Sequence, residues 1–151
     1  MIAGPRLLVA GRLSYEGAFS SSTERGHRMG TGLWFGVATE ATEGLSGTEK
    51  LFFIGDNGAT GPDVWSLDLA KGIKLAPVAD LQIKGKAEGG KFTFEASLPL
   101  TAVFAEGKLP AKCLANAWGY GMNGKNEASV AGASFYSMLR PYTWAEVVVK
   151  Q

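Results

Sequence analysis

ADLQIKGKAEGGKFTFEASLPLTAVF (79–104) decides how this chain folds. Leu81 and Ile83 alternate with Gln82 and Lys84. After Glu88-Gly89-Gly90, Phe92 and Phe94 alternate with Thr93 and Glu95. A period of two puts apolar side chains on one face of a strand and polar ones on the other. Gly-Gly between the runs supplies the positive φ values of a tight hairpin turn. The stretch therefore predicts two antiparallel strands, each with one face on a core. Leu-Pro-Leu (98–100) then turns the chain. Residues 99–106 predict a single helical turn with Pro99 at its first position, where a missing N–H is harmless. Glu95, on the polar side of its strand, is expected to bond backbone groups at this corner.

Outside this hairpin, short β-rich runs recur roughly every 10–15 residues and helical periodicity is nearly absent, which predicts an all-β antiparallel sandwich or barrel. Predicted strands are 6–15, 32–38, 50–54, 64–69, 79–86, 91–97, 113–120, 129–138 and 144–150. Asn123-Gly124 reads as a second tight turn. Ser20–Thr23 and 40–48 read as polar loops. There is no internal repeat or low-complexity linker, and 151 residues fit one domain spanning 1–151.

The chain is 46% hydrophobic and 19% charged, so it can bury a core. Fifteen basic and 14 acidic residues leave a net charge of +1, scattered without runs. That balance argues against nucleic acid, which selects a net basic surface to displace counterions. Cys113 is the single cysteine, which excludes an intramolecular disulfide and a thiolate zinc cluster. In KCLANAW it reads as a small buried hydrophobe. MIAGPRLLVAG (1–11) lacks the long apolar region of a signal peptide, and no stretch approaches the ~20 apolar residues of a membrane helix.

The order of elements resembles a known family. KFTFEASLPLTAVF (91–104) is similar to the hallmark of family-9 carbohydrate-binding modules and the wider DOMON-like superfamily: a strand ending in Glu, small residues, then an Ile/Leu-Pro-Leu corner. CLANAWGYGMNGKNEASVAGASFYSMLRPYTWAEVVV (113–149) resembles the family's tail. EKLFFIGDNGATGPDVWSLDL (49–69) resembles its strand, Asp/Asn/Gly-rich loop and next strand. Lys50 stands where the family pattern has an acidic residue, and Ala-Trp-Gly-Tyr follows Asn116 where the pattern leads to Arg. The resemblance covers 50–151. It implies a jelly-roll or DOMON-like β-sandwich that binds carbohydrate without catalysis, in an extracellular or periplasmic setting. Some DOMON-like relatives instead bind haem through Met with His or Lys, which directs attention to His27, Met29, Met122 and Lys125.

Sugar rings stack an apolar C–H face on indole while amides and carboxylates take their hydroxyls. Trp118 and Tyr120 share a strand face by period with Asn116, and these three form the first candidate platform. Trp65, just beyond a polar loop, is the second. Any single Trp in a strand is more often core. In DNGATGPD (56–63), Asp56, Asn57 and Asp63 offer oxygens to a hard cation such as Ca²⁺; the bland alternative is an Asx-capped turn. His27, the sole histidine, lies among Glu24, Arg25 and Arg28 and reads as a solvated loop residue. No Gly-x-Ser-x-Gly elbow, phosphate-binding loop or placed carboxylate pair appears, so an enzyme is the weaker reading. A partner protein is the remaining alternative, because Trp, Tyr and Arg also enrich interfaces.

Overall fold

The computed structural model describes residues 5–15, 32–46, 49–56, 62–68, 74–120, 128–129 and 145–148. They form β1 (Arg6–Ser14), β2 (Gly32–Ala38), β3 (Lys50–Asp56), β4 (Pro62–Asp68), β5 (Lys74–Pro77), β6 (Gln82–Glu88), β7 (Lys91–Pro99), α1 (Leu100–Val103), β8 (Lys112–Tyr120), β9 (Ala128–Ser129) and β10 (Ala145–Val148). A three-stranded sheet has the order β1-β7-β6. A larger sheet runs β10-β8-β2-β3-β4-β5, with β9 beside β8. Every pairing is antiparallel. The sheets face each other over one core, so the molecule is the expected β-sandwich.

The β6–β7 hairpin follows its alternation. Phe92, Phe94, Ala96 and Leu98 are buried, while Lys91, Thr93 and Glu95 are exposed. Gly89 and Gly90 have φ of 56° and 72°, as a type I′ turn requires. Gly90 O also accepts the Tyr15 N–H at 2.9 Å, which ties the end of β1 to the turn. Phe94 has a glycine opposite it on each side, Gly11 on β1 and Gly85 on β6. A Cβ on Gly11 would lie 2.9 Å from Phe94 Cζ. The bare backbone thus receives the ring. A Cβ on Gly85 would meet the Thr93 carbonyl at 2.7 Å and Pro62 Cγ of the other sheet at 3.1 Å.

The corner is held differently from the sequence expectation. Glu95 is exposed in mid-strand and no bond joins it to the corner among the described residues. Arg6 does this instead. Its Nε donates to Ser97 Oγ at 2.6 Å, and Nη2 donates to the Ser97 and Asp80 carbonyls, each at 2.6 Å. A planar guanidinium with several fixed donors suits such a clamp, and a carboxylate has no donor for these carbonyls. Leu100 N–H donates to Pro5 O at 3.0 Å. Pro99 is the extended residue before α1, not its first position, at φ −61° and ψ 137°. Leu100, Val103 and Phe104 join the core at this end.

In the larger sheet, β3 carries the apolar run LFFI (51–54), all buried. A continuous run is the signature of a strand covered on both faces. Phe52, Ile54, Val64, Val37 and Cys113 belong to the core between the sheets. Phe35 and Phe52 stack there with centroids 6.3 Å apart. β5 (KLAP) was not predicted; it is four residues long and its Pro77 is tolerated at a sheet margin. The 40–48 loop is more than a solvated connection. Glu49 beside it is 4% exposed. Its carboxylate accepts the Ser46 N–H at 2.9 and 3.0 Å, the Ser46 hydroxyl at 2.9 Å and the Thr42 hydroxyl at 3.1 Å. Ser20–Thr23, Asn123-Gly124 and most of the predicted strand 129–138 lie outside the described residues.

Two predictions test this packing. Gly85→Ala should lower stability by about 1–3 kcal/mol through overpacking, read from urea unfolding. At an unobstructed strand site the same change would stabilise by about 0.5–1 kcal/mol, so the sign decides. Burial raises the pKa of the Cys113 thiol. Its contribution to stability is complete below the unfolded-state pKa and declines as pH rises toward the folded one. The thiol should therefore resist a thiol-reactive chromogen at pH 7–8, where the unfolded protein reacts at once.

Candidate functional site

The candidate site is the face of the larger sheet that points away from the inter-sheet core. Directly opposed residues in an antiparallel ladder share a face. One row runs Pro77, Trp65, Phe53, Trp34, Trp118 and Ser129 across β5, β4, β3, β2, β8 and β9. At the usual strand spacing, Trp65 and Trp118 stand about 14 Å apart in this row. The flanking rows are Asn116–Gly36–Leu51–Leu67 and Tyr120–Gly32–Gly55–Asp63. The register thus brings Asn116, Trp118 and Tyr120 of β8 onto the same face as Trp65 of β4. The side chains of Trp65, Trp118, Tyr120 and Asp56 lie outside the described residues.

The middle of the row is filled. Trp34 is 5% exposed and Phe53 0%, with ring centroids 5.2 Å apart and planes tilted by 57°. A Cβ on Gly32 would lie 2.5 Å from Phe53 Cζ, so the ring extends over bare backbone beside Trp34. Trp34 is thus a packing residue. Asn116 is 1% exposed and partnered. It is a buried polar group opposite Gly36, where the absent side chain leaves it room. Its burial means that solvent does not reach it.

Asp56 and Asp63 come to the same end of the β3–β4 hairpin, since Asp56 pairs with Pro62 and Gly55 with Asp63. Asp63 Oδ1 accepts the N–H of the next residue, Val64, at 2.8 Å. Asn57 lies outside the described residues, as do His27, Met29, Met122 and Lys125. Among the described residues no three His, Cys, Asp or Glu side chains gather as metal ligands. No helix among them is long and apolar enough to cross a membrane. The alternation along β8 was the signal for its three residues. Nothing in the sequence joined Trp65 to them, because that link passes through β2 and β3.

No family model matches the chain, and no curated protein matches it. Among solved structures it is similar to a family-9 carbohydrate-binding module from Caldicellulosiruptor kristjanssonii in complex with glucose. The TM-score is 0.65 at 8% identity, covering 96% of this chain and 71% of that one. It is also similar to a proposed carbohydrate-binding protein from Bacteroides uniformis ATCC 8492, with a TM-score of 0.54 at 11% identity, covering 96% and 73%. The likeness is one of fold, and it agrees with the sandwich implied by the Leu-Pro-Leu corner.

Asn116→Ala should cost about 1–3 kcal/mol, because it removes a buried, partnered amide from a closely packed position. Chemical unfolding measures this. A change below about 0.5 kcal/mol would show that the amide adds no such stability.

Proposed function

We propose that this chain is a carbohydrate-binding module. In this reading Trp118 and Tyr120 of β8 and Trp65 of β4 meet sugar rings at the flanks of the aromatic row. The buried Trp34–Phe53 pair holds the strands between them at fixed spacing. Asn116 orients β8 from below. The ligand is a glycan that presents apolar C–H faces, and an extracellular or periplasmic location accords with such a target.

The observation that carries this reading is the register. Two tryptophans 53 positions apart in sequence, Trp65 and Trp118, share one row through a rigid, buried aromatic pair. Indole offers large apolar area with little rotamer entropy to lose, which suits weakly apolar sugar faces. The fold likeness to a module seen with glucose supports the same assignment.

Intrinsic tryptophan fluorescence tests it. Soluble oligosaccharides from a broad panel should give a saturable shift for at least one member. Trp118→Ala and Trp65→Ala should each weaken that ligand by at least about tenfold, or ~1.4 kcal/mol, with unfolding midpoints little changed. No response across the panel, or two variants that bind like the parent, would sink the proposal.

A further inference from the structure

A row of aromatic residues that stacks on sugar rings also needs polar groups for their hydroxyls. On the β8 flank Asn116 does not offer one, since it is 1% exposed and partnered. The β4 flank does. Asp63 and Trp65 are separated by Val64, which is 0% exposed and belongs to the core between the sheets. Alternation therefore places Asp63 and Trp65 together on the outward face, about 7 Å apart along the strand. Across the three outward rows Asp63 is the one carboxylate.

Asp63 is held in place and still has acceptor capacity. Its Oδ1 takes the Val64 N–H at 2.8 Å. A carboxylate has about four acceptor sites, and among the described residues nothing else engages this one. The position opposite it on β3 is Gly55, which brings no side chain. β5 ends opposite Trp65, so among the described residues no strand pairs with Asp63 on its other side. The side chain is half-buried and borders an open trough of about 1090 Å³, which reaches the edge between the sheets at Pro62 and Val78. Asp80 and Glu95 line the same trough against Lys84, so the surroundings of Asp63 are net negative.

We propose that Asp63 is the specificity-determining residue of the carbohydrate site: it accepts two adjacent hydroxyls of a neutral pyranose whose ring meets Trp65. This rests on the carbohydrate-binding reading. With Oδ1 tied to the backbone, the carboxylate loses little rotamer freedom when ligand arrives. The free Oδ2 makes charge-assisted bonds, which are shorter and stronger than those of a neutral amide. The unit bound at the β4 flank is therefore one with two neighbouring free hydroxyls, as in an unsubstituted hexose or pentose. A uronate is rejected, because its carboxylate would meet Asp63 with Asp80 and Glu95 nearby, and juxtaposed like charges cost affinity. A divalent cation is the competing use of Asp63. It fits less well, since among the described residues no three His, Cys, Asp or Glu side chains gather to hold one.

The probes are cellotetraose, xylotetraose and mannotetraose as neutral chains and tetragalacturonate as the acidic one, read by tryptophan fluorescence and calorimetry. At low salt, at least one neutral probe should bind the parent about tenfold or more tightly than tetragalacturonate does. Asp63→Asn keeps an oxygen for the Val64 N–H and removes the charge. It should weaken that neutral probe by at least about tenfold and narrow its margin over tetragalacturonate, with the unfolding midpoint little changed. Binding should persist in EDTA. An Asp63→Asn variant equal to the parent, tighter binding of tetragalacturonate than of every neutral probe, or loss of binding in EDTA would overturn the proposal. Trp65→Ala separates the two readings. If it loses the neutral probe while Asp63→Asn keeps it, the role of Asp63 fails and the carbohydrate site stands. Silence of the parent toward every neutral probe removes both.

Discussion

The sandwich depends on how the ring of Phe94 is accommodated. Phe94 sits at the centre of β7, the middle strand of the smaller sheet, and both positions opposite it are glycine. The ring lies against Gly11, and Gly85 lets Pro62 of the larger sheet approach to contact distance. Protein interiors are packed as densely as molecular crystals, so one added methyl at either point has to displace a neighbour. Gly85 thus limits how closely the sheets approach at this point, while Gly11 makes room for the ring within its own sheet. Phe92, Ala96 and Leu98 extend the same apolar face, and Leu100 and Phe104 close its end. The Arg6 clamp fixes β1 to this strand from the far end of the sequence.

The larger sheet solves a second packing problem. Its central strand β3 is buried on both faces, which leaves the outward aromatic row with a filled centre and two flanks. Trp34 and Phe53 interlock over Gly32 and cannot move to meet a ligand without opening the sheet. In the proposed reading, rigidity at the centre would fix the spacing of the flanks before ligand arrives.

The two sheets differ in the chemistry of their outer faces. On the larger sheet the outward rows are mostly aromatic, apolar and small residues; on the smaller they are mostly polar and charged, with four cations and two carboxylates. A net charge of +1 conceals this, since overall balance carries no information on which strand faces hold the charges. Alternation in β6 and β7 showed which residues point outward. It could not show that Arg12 of β1 stands two strands from Lys86, because that adjacency joins segments more than seventy residues apart.

By itself the sequence determined the all-β class, the Gly89-Gly90 hairpin, the Leu-Pro-Leu corner and most strands, since each rests on a local period or on turn chemistry. It missed β5, whose four residues hold no alternation and end in proline. Its assignment of Glu95 to the corner failed because the atoms to be bonded there are carbonyls, and only a donor from a distant strand meets them. The buried carboxylate of Glu49 was equally hidden, because a polar loop reads the same whether or not it folds over one acidic side chain. The tertiary structure alone decided that Trp34 is packing, that Asn116 is buried, and that Trp65 shares a row with Trp118. Burial and cross-strand register depend on which strands become neighbours, and neighbour choice is settled by the packing of the whole sandwich rather than by any segment of the chain.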